Sequence, residues 1–263
     1  MSARAGSPAG AATRDGADER AGTPALGTPR LHLRTVDSTN LRARELAVAG
    51  APHGTLVTAS EQTAGRGRQG RSWSAPAGTA LLMSLVLRDP PALVALRAGA
   101  AVADAAERLD LAGRRAAVKW PNDVLLEGGK VAGILVEARP QDRWAVLGIG
   151  LNVAVPLERL PVEARARAAT LGRASADVES ALADILAALG RALAAPLENV
   201  LDALRERDAL HGRAVSWTGG DGIAAGIDPE GRLLVRTRAG TVALDAGEVH
   251  LDPPQASPPA GLG

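Results

Sequence analysis

The chain has 263 residues, of which 46% are hydrophobic, enough for one large domain or for a medium domain with a small one. A net charge of +1 gives no overall attraction to nucleic acid or to an anionic membrane surface. The absence of cysteine excludes disulfides, thiol nucleophiles and thiolate metal sites, and it is compatible with a reducing cytosol.

The N-terminal segment 1–29 is rich in small and polar residues and contains no apolar run. Such a segment cannot bury enough surface to offset the entropy lost on ordering, so we predict a disordered tail, not a signal peptide. The segment 253–263, rich in proline and glycine, is interpreted as a second disordered tail. No stretch of about 18 apolar residues is present, so we predict no membrane span.

Hydrophobic periodicity predicts strands and helices between these tails. Strands are predicted at 30–36, 54–60, 79–87, 115–120, 124–126, 130–137 and 143–150. Helices are predicted at 41–48, 91–109, 178–194 and 197–210. Ser38-Thr39-Asn40 is a sequence typical of a helix N-cap and is expected to cap the first helix.

The pattern changes after His211 to short apolar runs separated by glycine, aspartate and proline turns. Strands are predicted there at 214–217, 222–227, 233–237, 241–245 and 248–251. Five strands in about 40 residues are typical of a small β-barrel. We therefore predict a larger domain over 30–210 and a small domain over 211–252.

A segment rich in glycine and arginine, Gly65–Arg71, lies between two predicted strands and is followed by Ser72-Trp73. Its spacing matches a dinucleotide-binding loop and nearly matches a P-loop, but both require a helix directly after the glycines, and here a strand follows. The segment could also be an RNA-binding tract or a solvated basic loop. We favour a mobile loop that closes over an anion, with arginines on phosphate and Trp73 on an apolar or purine face.

Three further motifs follow. Lys119-Trp120-Pro121-Asn122-Asp123 places a lysine at a strand end before a turn with a carboxylate, which suits a phosphate and a metal ion; an ordinary surface turn would have the same pattern. Two further strands contain glycines: Gly133 follows Lys130 in one, and the other ends in Gly148-Ile149-Gly150-Leu151-Asn152. These glycines would let a ligand approach the backbone closely, although each motif alone is most often an ordinary strand without a functional site.

Lysine is rare in this chain: of 30 basic residues, only Lys119 and Lys130 are lysine and the other 28 are arginine. The two lysines are interpreted as positions where a compact ammonium is required and the wider guanidinium does not fit, although chance would give the same count.

Together and in this order, the motifs resemble those of the biotin–protein ligases. That family carries a GRGRxGRxW loop, a KWPND turn, a GK(V/L)AGILVE strand and a GIGxN strand end, and residues 37–40 match its opening DSTN. The resemblance spans about Leu31 to Leu251. It implies an α+β fold in which a mixed sheet with helices on one face is followed by a small SH3-like barrel.

The resemblance also implies an activity. We expect the chain to form biotinyl-5′-AMP and pyrophosphate from biotin and ATP with Mg²⁺, and to transfer the biotinyl group to a lysine of a biotin carboxyl carrier protein of an acyl-CoA carboxylase. We expect a cytoplasmic enzyme with no membrane partner, and a homodimer is left open. Because only a short segment precedes the catalytic region, we expect no helix-turn-helix repressor domain and no DNA binding.

Matching by position in the motifs assigns the site residues. Biotin is expected to contact Ser38, Thr39, Asn40, Gln62, Arg66, Gly67, Arg68 and Lys119. ATP and the adenylate are expected to contact Arg66, Arg68, Arg71, Trp73, Lys119, Asn122 and Asn152. Lys119 and Arg68 are expected to be catalytic, with Lys119 touching both the biotin carboxylate and the α-phosphate. No motif specifies a metal ligand directly, and Mg²⁺ is expected near Asp123.

Two different functions are also compatible with parts of this pattern. A lipoate–protein ligase shares the fold class and the adenylate chemistry, although the Gly65–Arg71 segment favours biotin. A nucleic-acid-binding module could use the same arginines, but the small net charge and the lack of interleaved aromatic residues argue against it.

Overall fold

The structure is a computed structural model that describes residues 25–245 and 247–251. The predictions for the two tails therefore lie outside the described residues, except at residues 25–29. There the Gly27 N–H donates to the Gly54 carbonyl over 2.9 Å, and Leu26 packs against the hydrophobic core. These contacts connect residues 25–29 to the body of the protein, although the sequence pattern assigns them to the tail.

Seven strands form one mixed sheet. They are β1 (Arg30–Val36), β2 (Leu56–Gln62), β3 (Ala80–Arg88), β4 (Ala116–Lys119), β5 (Asp123–Leu126), β6 (Gly129–Arg139) and β7 (Trp144–Asn152). Their order across the sheet is β1-β2-β3-β7-β6-β5-β4. β1 and β2 run parallel, and the other neighbours are antiparallel. The three longest strands, β3, β7 and β6, thus lie together at the centre.

The helices of the described chain are α1 (Thr39–Val48), α2 (Val94–Leu109), α3 (Val162–Arg165), α4 (Val178–Ala194) and α5 (Leu197–Glu206). None of them is long and apolar enough to cross a membrane. α2, α4 and α5 cover one face of the sheet, where alternate residues of β3 such as Leu85 and Leu87 are fully buried.

Helix α1 lies on the opposite face of the sheet. Its Ala43 and Ala47 pack against Val57 of β2, Val86 of β3 and Val146 of β7. These valines alternate along their strands with the residues that face α2, α4 and α5. The expectation of helices on one face therefore holds for α2, α4 and α5 and is wrong for α1. The small side chains of Ala43 and Ala47 let α1 pack closely on the second face.

The N-terminus of α1 is not capped as predicted. The helix begins at Thr39, and Ser38 takes the N-cap position in extended geometry without a side-chain cap hydrogen bond. Instead, the Thr39 N–H donates to Oε1 of Gln62 on β2 over 2.7 Å. Because a neighbouring strand satisfies this N–H, the polar side chains of residues 38–40 are available for other contacts.

Two other helix ends differ from the prediction. α2 begins at Val94 because Leu93 has a left-handed backbone, with φ of 58°. α5 ends at Glu206 because the next residues run alongside β4: the Val118 N–H donates to the Arg207 carbonyl over 2.7 Å, and the Ala209 N–H donates to the Val118 carbonyl over 3.0 Å. The sequence pattern around 207–210 is helical, but the backbone there forms hydrogen bonds with the edge strand β4 instead of continuing the helix.

The small domain is a five-stranded antiparallel sheet, as the sequence predicts. Its strands are β8 (Ala214–Trp217), β9 (Gly220–Ile227), β10 (Leu233–Thr237), β11 (Gly240–Leu244) and β12 (Val249–Leu251), in the order β11-β10-β9-β8-β12. Its buried residues, including Val215 and Leu233, join the main hydrophobic core. The buried Trp120 indole N–H donates to the Gly231 carbonyl over 3.0 Å, which ties the small domain to the turn between β4 and β5.

A buried carboxylate lies in the connection between the two sheets. Asp208 Oδ1 accepts the Leu210 N–H over 2.8 Å, whereas Oδ2 is buried with no hydrogen-bond partner among the described residues. Burial raises the pKa of Asp208, against the smaller lowering effects of the Leu210 N–H and of His211. The ionised form of Asp208 therefore destabilises the folded state.

We predict that Asp208→Asn removes a pH-dependent loss of stability. Because the pKa of Asp208 is higher in the folded than in the unfolded chain, the folded state binds this proton more tightly. Its destabilising effect is absent below the unfolded pKa of about 3.9, grows as pH rises from there to the folded pKa, and stays constant above the folded pKa. Unfolding free energies from urea titrations at several pH values should show this component in the wild type and not in the variant.

The exposed Asp202 on α5, changed to Asn, is the matched control and should keep the wild-type pH profile. A difference between the wild type and Asp208→Asn that stays constant across the acid range would contradict the prediction.

Candidate functional site

A cleft lies where the start of α1, the Gly65–Arg71 loop, the β4–β5 turn and the start of β12 meet the central strands. The empty space in it, including the part open to solvent, is about 880 Å³. Both domains contribute to its lining, because Glu248 and Val249 of the small domain face it together with residues of the large sheet. The cleft is therefore complete only when the two domains are in contact.

A polar network occupies the part of the cleft next to α1. Thr39 Oγ1 donates to Gln62 Oε1 over 3.0 Å, and it lies 2.9 Å from the hydroxyl of Ser84. The Ser84 hydroxyl also lies 2.6 Å from Asn40 Oδ1, and Asn40 Nδ2 donates to Glu137 Oε2 over 2.8 Å. Ser84 is fully buried in β3, so this network is held from below by the sheet.

Glycines of β6 and β7 form the floor of the cleft. A Cβ on Gly148 would lie 2.0 Å from Asn40 Oδ1, and one on Gly150 would lie 2.4 Å from Cε2 of Trp73. Gly133 is paired with Gly150 in the sheet, and its Cβ would lie 3.0 Å from Trp73 Cζ3. The side chains of Asn40 and Trp73 thus rest directly on backbone, and a methyl group at Gly148 or Gly150 would displace them.

A cluster of cations lines the same cleft, near Trp73. Lys130 Nζ lies 2.7 Å from Asp123 Oδ1 and 5.6 Å from the centre of the Trp73 ring. Lys119 is more enclosed, and burial lowers its pKa; Asp123 opposes this shift, while the charges of Lys130 and Arg71 add to it. Positive groups crowded in this way favour an anionic ligand, because an anion would relieve their mutual repulsion.

The Gly65–Arg71 segment forms a short folded loop over the cleft. Arg66 and Ser72 form an antiparallel bridge, and the Gly67 N–H donates to the Arg71 carbonyl over 2.7 Å. Gln69 has a left-handed backbone, with φ of 54°. The loop is followed by an extended segment and β3, without an intervening α-helix. A dinucleotide-binding loop or a P-loop would require that helix, so neither is present here.

Two arginines of this loop reach across the cleft. Arg68 Nη1 donates to Asn122 Oδ1 of the β4–β5 turn over 2.9 Å. Arg71 forms an ion pair with Glu248 of the small domain. Burial lowers the pKa of Arg68, against the opposing charge of Asp123. The loop is thus closed on one side by the large domain and on the other by the small one.

Two carboxylates line the cleft, Asp123 and Glu248, and Asp123 lies among the cations next to Lys130. Among the residues that the structure describes, no group of three or more histidine, aspartate or glutamate side chains could hold a metal. Mg²⁺ commonly binds one or two carboxylates together with substrate phosphates. The arrangement therefore fits a metal that arrives with phosphate groups.

Nearly all the residues assigned from the sequence meet in this one cleft. Those lining it are Ser38, Thr39, Asn40, Gln62, Arg66, Gly67, Arg68, Arg71, Trp73, Lys119, Asn122 and Asp123. Asn152 does not line it: its buried side-chain amide donates to the Ala169 carbonyl over 2.9 Å. The assigned residues therefore belong to one site, with Asn152 beside it.

Four residues that the motifs do not assign lie at the site or beneath it. Lys130 is marked in the sequence by the scarcity of lysine, but only the fold shows that it faces Asp123 and Trp73. Ser84 is detectable as a polar residue in the middle of an apolar strand, since a buried hydroxyl needs a partner. Glu137 ends the strand motif that starts at Gly129, but only the fold shows its contact with Asn40. Glu248 carries no local signal, because its role depends on its contact with Arg71.

Comparison with known proteins gives consistent results. The profile of the biotin/lipoate A/B protein ligase family matches residues 33–153, and that of the biotin protein ligase C-terminal domain matches residues 210–252. The chain is 38% identical to a biotin–[acetyl-CoA-carboxylase] ligase of Paracoccus denitrificans, over 82% of this chain and 98% of that protein. It is 37% identical to a ligase of the same name from Mycobacterium tuberculosis, over 81% of this chain and 86% of that protein.

Solved structures with the same fold include ligand complexes. A biotin protein ligase from Aquifex aeolicus in complex with biotin and ATP matches with a TM-score of 0.73 and 28% identity, over 85% of this chain and 98% of that one. A biotin protein ligase from Leishmania major with biotinyl-5-AMP matches with a TM-score of 0.56 and 26% identity, over 82% and 98%. The predicted α+β fold with a small C-terminal antiparallel domain is confirmed.

We predict that Glu248→Gln loosens the loop in the protein without ligand. The Arg71–Glu248 pair is partly exposed, and such pairs contribute about 0.2–1 kcal/mol. Amide hydrogen exchange in residues 65–71 should therefore be roughly 1.5- to 5-fold faster in the variant. Glu230→Gln, which changes an exposed glutamate of the same domain, is the control. Equal exchange in the two variants would show that the pair does not hold the loop.

Proposed function

The chain belongs to the biotin/lipoate A/B protein ligase family, and we propose that it acts as an ATP-dependent biotin–protein ligase. It joins biotin to ATP as biotinyl-5′-AMP, releases pyrophosphate, and then biotinylates a lysine of a biotin carboxyl carrier protein. One observation carries this proposal: a hydrogen-bonding network and a cluster of cations line the same cleft. Biotin and ATP require this combination, a polar ring site beside a phosphate site.

The cations reduce the electrostatic repulsion that opposes the first step. The biotin carboxylate must attack the α-phosphate, and two unit charges 4 Å apart repel by roughly 4 kcal/mol at an effective dielectric of 20. We propose that Lys119 and Lys130 stand between the carboxylate and the phosphate, lower this repulsion and stabilise the charge that develops in the transition state. Arg68, which is held by Asn122, supplies a further positive group.

The polar network is proposed to hold the ureido ring of biotin. Ser38, Thr39, Asn40 and Gln62 supply hydroxyl and amide groups there, and a ureido ring offers two N–H donors and one carbonyl acceptor. Arg66 and Gly67, at the edge of the loop, are proposed to complete the ring site from above. A buried polar group that finds its partner in the ligand contributes strongly to specificity, because a ligand without that partner leaves it unsatisfied.

The adenylate is proposed to lie between Trp73, Arg71 and the Asn122 turn. Asn152, whose amide is engaged by the Ala169 carbonyl, would shape this part of the site from outside the cleft lining. Biotinyl-5′-AMP is a mixed anhydride that water destroys, so the folded loop protects it by excluding water. Mg²⁺, held by the phosphates and by Asp123, would neutralise charge on the leaving pyrophosphate.

The second step requires an acceptor lysine and no covalent enzyme intermediate. A neutral amine of the carrier attacks the anhydride, and AMP leaves, so the absence of cysteine is no obstacle. We propose the carrier protein of an acyl-CoA carboxylase as the acceptor, as the names of two relatives suggest for those proteins. A cytoplasmic location and the lack of DNA binding are proposed with it, and a homodimer stays a prediction.

The assay that tests this proposal is ATP–pyrophosphate exchange with biotin or lipoate as the acid. We expect exchange with biotin, and at least about tenfold less with lipoate, because the dithiolane ring of lipoate offers no N–H to the polar network. Omission of the acid is the control. Exchange supported by lipoate and not by biotin would contradict the assignment and favour the lipoate ligases of the same family.

We predict that Lys119→Arg and Lys130→Arg each lower kcat/KM for exchange more than about tenfold, or about 1.4 kcal/mol. Charge is kept in both variants, but the wide guanidinium does not fit where a compact ammonium lies. At Lys130 the space is limited: Nζ lies 3.2 Å from where a Cβ on Gly133 would be. The measurement is exchange at varied biotin and ATP concentrations.

The exposed Arg191→Lys variant is the control for a change between the same two cations, and it should match the wild type. If both lysine variants retain more than a tenth of the wild-type kcat/KM, the requirement for a compact ammonium is wrong.

A further inference from the structure

The hydrogen bonds beneath the polar end of the cleft form a chain with two fixed ends. It runs from Glu137 through Asn40 and Ser84 to Thr39 and Gln62, with separations of 2.8, 2.6, 2.9 and 3.0 Å. Ser84 is fully buried in the sheet, and Glu137 lies in the depression behind the loop and outside the main cleft lining. These two residues can affect a ligand in the cleft only through their neighbours.

The first fixed end is Glu137. An ionised carboxylate only accepts hydrogen bonds, so Asn40 must turn its NH₂ group toward Glu137 and its Oδ1 toward Ser84. The Ser84 hydroxyl has one proton, and the 2.6 Å contact with Asn40 Oδ1 takes it. The remaining capacity of Ser84 Oγ is that of an acceptor.

The second fixed end is the backbone of α1. The Thr39 N–H donates to Gln62 Oε1 over 2.7 Å, which directs the carbonyl oxygen of the Gln62 amide toward Thr39. The Thr39 hydroxyl therefore lies between two acceptors, Gln62 Oε1 and Ser84 Oγ. Its proton stays within the protein in either case. Its oxygen can meet a ligand only as an acceptor, whereas Gln62 keeps its NH₂ group as a donor.

We propose that Glu137 is a positioning residue that sets the direction of this chain and so makes the cleft select a ring carrying an N–H beside a carbonyl. The inference rests on the proposed function, in which that ring is the ureido group of biotin. The ligand N–H meets the Thr39 oxygen, and the Gln62 NH₂ group remains to donate to an acceptor. A dithiolane ring offers neither group.

The test is Glu137→Gln, which keeps the size of the side chain but lets it donate as well as accept. The Asn40 amide can then rotate and donate to Ser84, which frees the Ser84 hydroxyl to donate to Thr39. The Thr39 oxygen then accepts a hydrogen bond from Ser84 for part of the time and is less available to the ligand. We expect the KM for biotin in ATP–pyrophosphate exchange to rise roughly three- to tenfold, because one neutral hydrogen bond is weakened. The kcat and the KM for ATP should stay within about twofold, since the phosphate side is unchanged.

A double-mutant cycle with Thr39→Val separates this role from a general structural one. Once the hydroxyl is absent, the direction of the chain no longer matters, so Glu137→Gln should add little to the effect of Thr39→Val. If Glu137 only supported the fold, the two effects would add. Ser84→Ala removes the hydroxyl through which the change at Glu137 reaches Thr39, so in that background Glu137→Gln should have little further effect on the KM for biotin.

Glu45→Gln, an exposed change on α1, is the matched control and should leave the KM for biotin unchanged. A wild-type KM in Glu137→Gln would overturn the inference, and so would full additivity with Thr39→Val. The wild type is measured first: if it shows no biotin-dependent exchange, the proposed function itself fails, which this order makes distinguishable from failure of the inference.

Discussion

The cleft can form only because three positions on two adjacent central strands are glycines, which carry no side chain. Gly133 of β6 and Gly150 of β7 are paired in the sheet, and Gly148 lies two residues before Gly150. The space that their side chains would fill is taken by the Trp73 ring and the Asn40 amide. On the opposite face of the sheet α2 packs against β6 and α4 against β3, so the floor of the cleft is the backbone of a sheet supported from behind.

The electrostatics of the cleft follow from how its charges are paired without ligand. Lys130 is paired with Asp123, and Arg71 with Glu248. Lys119 lies deeper, where burial lowers its pKa. Each of these two carboxylates is thus paired with a cation that could otherwise bind a phosphate. An anion bound here would compete with Asp123 for Lys130 and with Glu248 for Arg71.

Much of this arrangement could be predicted from the sequence, because the strands and most helices follow local periodicity and the site motifs lie at their ends. The errors occur where a distant segment decides the outcome. The open edge of β4 ends α5 early, and Gln62 on β2 replaces the expected cap of α1. Glu248 could not be found from its neighbours in sequence, because it reaches the cleft only through the packing of one domain on the other.

The scarcity of lysine has a consequence for the lifetime of the protein itself. An activated acyl group attacks primary amines, whereas arginine stays protonated and does not react in this way. In the described part of the chain, the side-chain amines are those of Lys119 and Lys130, and both belong to the cleft lining. Because the basic residues of the outer surface are arginines, an acyl-adenylate that escapes from the cleft finds almost no amine there to acylate. The enzyme therefore avoids modification by the intermediate that it forms.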